Sequence, residues 1–515
     1  MTISSNAWLS GPTSDLTLGC GLGYVAAFVL LAVAGQQIET VLPLGLMPLA
    51  LLLLSVPHYG ATLLRVYEKP ENRRKYQLFA IHLSVLVWAI FAVGVYNSLV
   101  GSLLLTIYLT WSPWHYSGQN YGISLMFLGR RGVHIPLLAK RLLYSSFILC
   151  FLLTFIELHA SIYGPVIVPD QSDAHYHLTP LGIPLALANP LIVAIGSAYL
   201  ACLAGAAYVL LRVAKWRDLL PTALIVFSQA LWFAVPMFAY HFDLLQNVFP
   251  LARDKAGYAF FWIATAHAVQ YLWITSYFAQ RSDNRVPSEF LFKCLLAGAI
   301  IWVVPALLFS PTLFGRLSFD EGLGALVAAA VNVHHFILDG AIWKLRDGRI
   351  ARVLLRSATA SDGVSAGTGR WTGVAQAGFV AAGVCAVLVS FQSTIEEHFG
   401  VERAAETANF ERMRIAVERL SWMGRDSAGR REQLGQIELR NGNLAAAEQH
   451  FRKAVELEES VPRLNQLAEL QYKNGAVNSS IHTVRRSLQL AQESGQQAEV
   501  ERLRGALRQL QSAAH

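Results

Sequence analysis

Five histidines in apolar sequence are the residues of this chain whose type and placement best suit chemistry. His58, His115 and His267 lie within or at the end of apolar runs, and His334 and His335 form the one adjacent pair. An ionisable side chain is costly to bury in a membrane, so such residues tend to face the interior of a helix bundle and to be functional. Neutral imidazole is the commonest metal ligand in proteins. We therefore predict these histidines as metal ligands, with one of the adjacent pair entering the site because helical neighbours point ~100° apart.

Polar side chains near these histidines predict the surroundings of the metal. Each lies three or four residues after a candidate ligand and so shares its helix face, the four being Gln119, Gln270, Tyr271 and Asp339. We expect Asp339 to bind the metal or to hold an imidazole in one tautomer. We expect the other three to orient bound water or substrate.

The donor types indicate which metal such a site would hold. Several imidazoles with one carboxylate suit iron, copper or zinc better than magnesium or calcium. We expect non-haem iron, with haem, copper and zinc as alternatives. His82 opens an apolar run and is interpreted as a headgroup-level histidine. The five cysteines lie in or beside apolar runs without a CxxC pair, which favours small buried hydrophobes over thiolate ligands.

The elements that must position these residues are membrane helices. Hydrophobic residues make up 54% of the chain and charged residues 15%, against roughly 25% charged in ordinary soluble domains. A helix needs about 20 apolar residues to cross a bilayer. Eleven runs approach that length, near 17–34, 41–56, 78–96, 98–114, 141–158, 184–211, 219–240, 257–279, 291–310, 322–343 and 371–392. The sequence predicts an all-α, polytopic helix bundle of about eleven spans over residues 1–392.

Basic residues between these runs predict the orientation. Lys and Arg concentrate in alternate loops, at 65–75, 130–141, 212–217, 281–293 and 344–356, whereas the opposite loops carry mainly Arg253, Lys255 and Arg316. The positive-inside rule then places the N-terminus in the cytoplasm, and an odd number of spans places the C-terminus outside. Short basic clusters of this kind face lipid headgroups and exclude a nucleic-acid-binding patch.

Depth in the membrane is the reason to expect one shared site. With this topology His58, His82, His115 and the pair at 334–335 fall in the cytoplasmic half, and His267 lies near the middle. Histidines placed at random would not choose one leaflet. Polar residues of the other side lie in or near loops, where histidine is unremarkable: His159, Asp170, Asp173, His175, His177, His241 and Asp243.

The composition changes after about residue 393, where charged residues, Gln and Ala replace the apolar runs. Two segments then repeat with a period of about 33: Leu434, Asn441-Gly442, Leu444, Phe451, Ala454 and Leu457 recur as Leu467, Asn474-Gly475, Val477, Val484, Ser487 and Leu490. Each reads as two helices joined at Asn-Gly. The pattern resembles the tetratricopeptide repeat family. That resemblance implies a soluble helical domain over 393–515, outside the membrane, with a surface for a protein partner or a lid over the membrane domain. A generic amphipathic helical hairpin is the alternative.

The membrane domain, over about residues 40–350, resembles the integral-membrane non-haem iron oxygenases: desaturases, hydroxylases and the bacterial carotene-cleaving dioxygenases. The similarity is one of arrangement, with polytopic helices that gather histidines on the cytoplasmic side. The desaturase boxes HxxxH and HxxHH are absent, which favours a site with fewer ligands from separate helices. The resemblance implies iron and O2 chemistry on a lipid-soluble substrate.

The sequence thus favours a metal-dependent oxygenase or hydroxylase of a cell inner membrane, with membrane lipid and a lipid-soluble substrate as its small-molecule partners. Three alternatives stay open. A haem-handling protein would use paired histidines as axial ligands. A lipid-linked glycan or polymer-assembly protein would use acidic residues of the outer loops together with a periplasmic repeat domain. A transporter would require broken helices and an internal duplication.

Overall fold

The computed structural model describes residues 7–35, 37–38, 44–160, 175–283, 285–343, 353–355 and 373–513. Within these ranges the regular secondary structure is entirely helical, with an isolated bridge between Ala160 and Ile183. The predicted all-α fold is confirmed. Most of the basic segment 344–356, together with Asp170 and Asp173, lies outside the described residues.

The chain forms two compact units, Met1–Val303 with Leu326–Ser390, and Val304–Ala325 with Phe391–His515. The long helices up to residue 406 are α1 (Leu22–Ala34), α2 (Met47–Tyr67), α3 (Leu78–Tyr96), α4 (Ser98–Arg130), α5 (Leu137–His159), α6 (Leu185–Val213), α7 (Trp216–His241), α8 (Ala256–Asp283), α9 (Pro287–Leu308), α10 (Phe319–Ile342) and α11 (Gly373–Glu406).

The apolar helices indicate a membrane protein. In the described part of the chain, eight are long and apolar enough to cross a bilayer: α2, α3, α5, α6, α7, α9, α10 and α11. A ninth results if the short helical segment Pro12–Gly19, bent by 56° from α1, counts with α1 as one span. The other two predicted spans fall on α4 and α8, which have 33 and 28 residues. Their polar residues, among them Gln119, Asn120, His267 and Gln270, lower their hydropathy.

Two helices of the first unit, α2 and α9, pack closely against each other. A Cβ atom added at Gly60 would overlap the carbonyl oxygen of Cys294 on α9, and one at Gly298 would overlap the carbonyl oxygen of Val56. Small residues at a crossing let two membrane helices approach through their backbones. The crossing of α2 and α9 therefore lies beside His58. On the other flank, α8 packs on α2, and α4 packs on α3, α5 and α7.

The second unit continues into a series of helices that pack in chain order: α12 (Phe410–Trp422), α13 (Ala428–Arg440), α14 (Leu444–Leu457), α15 (Val461–Lys473), α16 (Val477–Glu493) and α17 (Gln497–Ala513). Two of the turns fall at the predicted Asn-Gly positions, where Gly442 and Gly475 have φ of 79° and 78°. Glycine adopts this left-handed conformation without strain and so ends a helix there. Gly435 contacts the ring of Phe451, which brings α13 and α14 together.

Candidate metal centre

Four of the predicted histidines, from α2, α4, α8 and α10, meet inside the first unit. The ring centroid of His58 lies 4.7 Å from that of His335 and 5.5 Å from that of His267. The ring centroid of His115 lies 5.0 Å from those of His267 and His335. His58, His267 and His335 are 3%, 1% and 2% exposed. The four imidazoles thus form one buried cluster.

The spacing of the nitrogen atoms fits a metal ion. One ligand atom from each of His58, His267 and His335 lies within 4.8 Å of the other two, and the same holds for His115, His335 and Asp339. Metal–imidazole bonds of about 2.0–2.1 Å place opposite ligands about 4 Å apart. His335 belongs to both groups, so the two describe one continuous set of donors.

Four ring nitrogens of this cluster lack a hydrogen-bond partner within the described part of the chain. Among the described residues, Nε2 of His115, Nε2 of His335 and both ring nitrogens of His267 have no hydrogen bond. A buried polar atom left without a partner costs about 1–3 kcal/mol. Four such atoms in one cluster would be a large penalty for a structural core. A metal ion can accept one lone pair from each neutral imidazole, so it would satisfy one of these nitrogens on each of the three histidines. The donor set is one that iron, copper and zinc share.

Two buried histidines elsewhere in the first unit differ from the cluster, because both of their ring nitrogens have hydrogen-bond partners. Nδ1 of His241 lies 2.6 Å from Glu157 and Nε2 lies 2.7 Å from Asn189. Nε2 of His159 lies 3.0 Å from the hydroxyl of Thr110, and Nδ1 accepts from the backbone N–H of Leu181 at 3.2 Å. The sequence placed both histidines in or near loops, whereas they are buried at helix ends. Their ring nitrogens are satisfied by protein groups, so they need no ligand.

Neighbouring groups orient two of the clustered histidines. Nδ1 of His58 donates to the carbonyl oxygen of Ser55, which leaves Nε2 as the nitrogen for a metal. Ser55 ends a π-helical turn, Leu51–Ser55, an irregularity frequent at functional sites. Nδ1 of His335 lies 3.0 Å from the hydroxyl of Thr62, which leaves its Nε2. A hydrogen bond on one ring nitrogen that fixes the other is usual for histidines that bind metals.

Asp339 is anchored through one oxygen only. Its Oδ1 accepts hydrogen bonds from the hydroxyls of Tyr271 and, at 3.3 Å, of Thr62. The indole N–H of Trp343 donates to the Tyr271 oxygen at 2.9 Å and so fixes its position. Oδ2 lies 3.9 Å from Nε2 of His115. The second oxygen therefore faces the histidines, where it can bind a metal or accept a proton.

Gln119 and Gln270, predicted to orient bound water or substrate, bond to each other. The amide of Gln119 donates to Oε1 of Gln270 at 2.5 Å and to the carbonyl of His267 at 3.3 Å. The amide of Gln270 donates to the carbonyl of Gly19 at 2.8 Å. The pair links α4 to α8 at the level of the cluster. Of the side-chain amide atoms of these two residues, Oε1 of Gln119 has no hydrogen-bond partner among the described residues.

His334 lies outside the cluster, on another side of α10 from His335. Its Nε2 lies 2.8 Å from the hydroxyl of Ser84 on α3 and 3.4 Å from that of Tyr67 at the end of α2. His82 is exposed and also lies outside the cluster.

Sequence reasoning missed three residues that support the site: Ser55, Thr62 and Trp343. Thr62 follows His58 by four residues, so the spacing rule that selected Asp339 would have found it. Ser55 acts through its backbone and Trp343 acts through Tyr271, and neither contact has a sequence signal. The structure thus joins four predicted histidines with Asp339 and Tyr271.

Comparisons of the chain with protein-family models, with curated proteins and with solved structures find no match.

Proposed function

We propose that this chain is a membrane-embedded, metal-dependent oxygenase or hydroxylase that uses non-haem iron on a lipid-soluble substrate. The observation that carries the proposal is the meeting of four imidazoles beside one carboxylate oxygen, where three of the imidazoles have ring nitrogens without a hydrogen-bond partner among the described residues. Imidazole and carboxylate donors together suit non-haem iron. Neighbouring ring centroids 4.7 to 5.5 Å apart leave no room for a porphyrin between the imidazoles, which supports iron without haem.

The residues of the chain have distinct tasks in this proposal. His58, His115, His267 and His335 hold the iron, which when bound supplies one-electron and O2 chemistry. Ser55 and Thr62 fix the ring nitrogens of two ligands. The Tyr271 hydroxyl and Asp339 hold a proton between them beside His115, which is where a reaction on a bound substrate would need one. The surrounding apolar side chains exclude water.

The remaining parts of the proposal concern topology and partners. We take α4 and α8 as two further spans, which with the nine counted above gives eleven. The N-terminus is then cytoplasmic and the helices from α12 onward lie in the periplasm of an inner-membrane protein. Their tetratricopeptide-like pattern supports a protein partner there.

Cysteine labelling tests the proposed location of these helices. Trp422 is 88% exposed, so a cysteine placed there should react with a membrane-impermeant maleimide from outside intact cells, in a Cys385→Ser background.

Metal analysis of the detergent-purified full chain, with an absorption spectrum, tests the proposal. We expect stoichiometric iron without the Soret band of haem. The His335→Ala variant should lose the iron. His334→Ala is the matched control, because it removes an equally buried imidazole from the same helix and should keep the iron. A protein without metal would refute the metal site, and a Soret band would favour haem handling.

Activity is tested separately by supplying the iron-loaded protein with a lipid extract, a reductant and isotopically labelled O2. Incorporation of the label into a lipid, lost in His335→Ala and kept in His334→Ala, would support an oxygenase. Bound iron with no label in any lipid would contradict that reaction class and leave only the metal site.

A further inference from the structure

A cavity of about 320 Å³ adjoins the histidine cluster on one side. Its walls come mainly from one face of α4 and one face of α10, where lining residues recur at helical spacing. His115 and Asp339 line the cavity, and most of the other lining residues are aromatic or aliphatic. A single buried water needs only about 10–15 Å³, so the cavity is far larger than one water.

Three glycines keep this cavity open. A Cβ atom added at Gly118, Gly122 or Gly340 would meet no atom within 4 Å, and all three line the cavity. Glycine within a helix weakens the helix relative to alanine, so it usually marks a close contact, as Gly60 does. These three make no such contact. Their effect is to leave space where a side chain would otherwise project.

A second observation links the cavity to the histidine cluster. The His115 side chain is 9% exposed and lines the cavity, and among the described residues its Nε2 has no hydrogen-bond partner. Asp339, whose side chain is 8% exposed, lies beside it. The cavity and the cluster therefore share His115 and Asp339.

We propose that this cavity binds one long, unbranched alkyl or acyl chain, with the carbon to be modified beside His115 and Asp339. This inference rests on the proposed function and names its substrate class. Gly118 and Gly122 lie one turn apart on α4, which opens a groove about one side chain wide and suits a single chain rather than a fused ring. The indoles of Trp111 and Trp114 and the ring of Phe336 provide flat apolar walls for methylene groups.

Photolabelling of the full chain in lipid nanodiscs with a diazirine-bearing palmitic acid tests this assignment. In the wild type we expect peptides containing residues 111–126 and 336–343 to carry the label, in competition with unlabelled palmitic acid. Gly118→Leu and Gly122→Leu fill the cavity and should reduce labelling of these peptides about tenfold or more, equivalent to about 1.4 kcal/mol. Gly378→Leu is the matched control, because this glycine of α11 is exposed and also has no neighbour within 4 Å of an added Cβ.

Metal content, measured on the same samples, separates this proposal from the metalloenzyme proposal. Loss of labelling with iron retained supports the chain-binding cavity. Labelling that is uniform over the lipid-facing helices, or that survives both leucine variants, overturns it while the iron site stands. Wild-type protein without iron refutes the iron site whatever the labelling shows. Gly122→Ala adds a single carbon and should give an intermediate loss, which keeps the test valid if a leucine variant fails to fold.

Discussion

The hydroxyl of Tyr271 donates a hydrogen bond to Oδ1 of Asp339, and this contact leaves Oδ2 of the carboxylate directed at His115. Two helices, α8 and α10, are joined through it. Since Trp343 in turn donates to the Tyr271 oxygen, the carboxylate has one anchored and one available oxygen. The position of the available oxygen depends on the anchor.

Replacing Tyr271 with Phe should therefore weaken metal binding without unfolding the protein. Loss of a group that orients a metal ligand typically lowers affinity by about 10–100-fold. The measurement is iron retained by the purified protein against increasing concentrations of a chelator. Tyr199→Phe is the control, since among the described residues the buried Tyr199 hydroxyl has no hydrogen-bond partner. Equal iron retention in Tyr271→Phe and wild type would contradict an orienting role.

Thr62→Val should also lower iron retention, because this hydroxyl contacts His335, Tyr271 and Asp339. Valine keeps the shape of the side chain and removes the polar contacts. Residues in one hydrogen-bond network are not additive, so Thr62→Val with Tyr271→Phe should lose less than the sum of the two. Thr154→Val, which removes a buried hydroxyl bonded only to the Cys150 carbonyl, should leave iron unchanged. If the losses of iron in the two single variants simply add in the double variant, the two residues act independently, which would contradict a shared network.

Gly60→Ala should reduce thermal stability and iron content together. The added methyl would overlap the Cys294 carbonyl at the crossing of α2 and α9, and overpacking of this kind costs about 1–3 kcal/mol. His58 lies two residues away, so a shift of α2 moves a ligand. The measurement is the apparent Tm of the full chain in detergent, with metal analysis. Gly378→Ala, whose added methyl meets no neighbour among the described residues, should lower neither, and an unaltered Tm in Gly60→Ala would contradict the close crossing.

Asp426→Ala should destabilise the helices around α12 and α13. Asp426 and Arg431 have side chains 0% and 6% exposed and form a buried ion pair. Removing one partner of a buried pair typically costs about 3–5 kcal/mol. Hydrogen exchange of the full chain should show faster exchange in peptides covering 410–440. Glu411→Ala removes an exposed ion pair with Arg414 and should leave exchange unchanged. Similar exchange in both variants would show that the buried pair is not stabilising.

The same region should lose protection in acid. The hydrogen bond from Arg431 holds the pKa of Glu418 below its ordinary value of 4.5. A depressed pKa means that the contribution to stability is present above about pH 4.5 and is lost as the pH falls through the folded-state pKa. Exchange of α12 and α13, corrected for its intrinsic pH dependence, should therefore rise on acidification. The rise should be smaller in Glu418→Gln. Because Glu418 is partly exposed, the effect should be small.

The sequence predicted the type of the fold because apolar length and composition decide it. It indicated the histidines of the cluster because imidazoles are rare in apolar runs, so that His58, His115 and His267 were named individually and His335 was named as one of an adjacent pair. The cytoplasmic depth that we predicted for these residues from Lys and Arg in the loops was the reason to expect that they would meet.

Other contacts could not be predicted, because they depend on how each helix is rotated. Periodicity indicated that one of His334 and His335 would enter the site and gave no means of choosing. The choice is set by packing of α10 against α3, where Ser84 accommodates His334. In the same way, the hydrogen bond between Gln119 and Gln270, which joins two helices, could not be predicted from their spacing. Helix spacing shows which residues share a face, whereas the partner of that face is a tertiary property.

The four histidines of the cluster are far apart in the chain, from residue 58 to residue 335. Since the ribosome makes the chain from its N-terminus, α2, α4 and α8 are synthesised before α10. The last imidazole is added after more than half of the chain has been made. A nascent chain that stops before α10 therefore lacks one of the four imidazoles, and the cluster is completed late in synthesis.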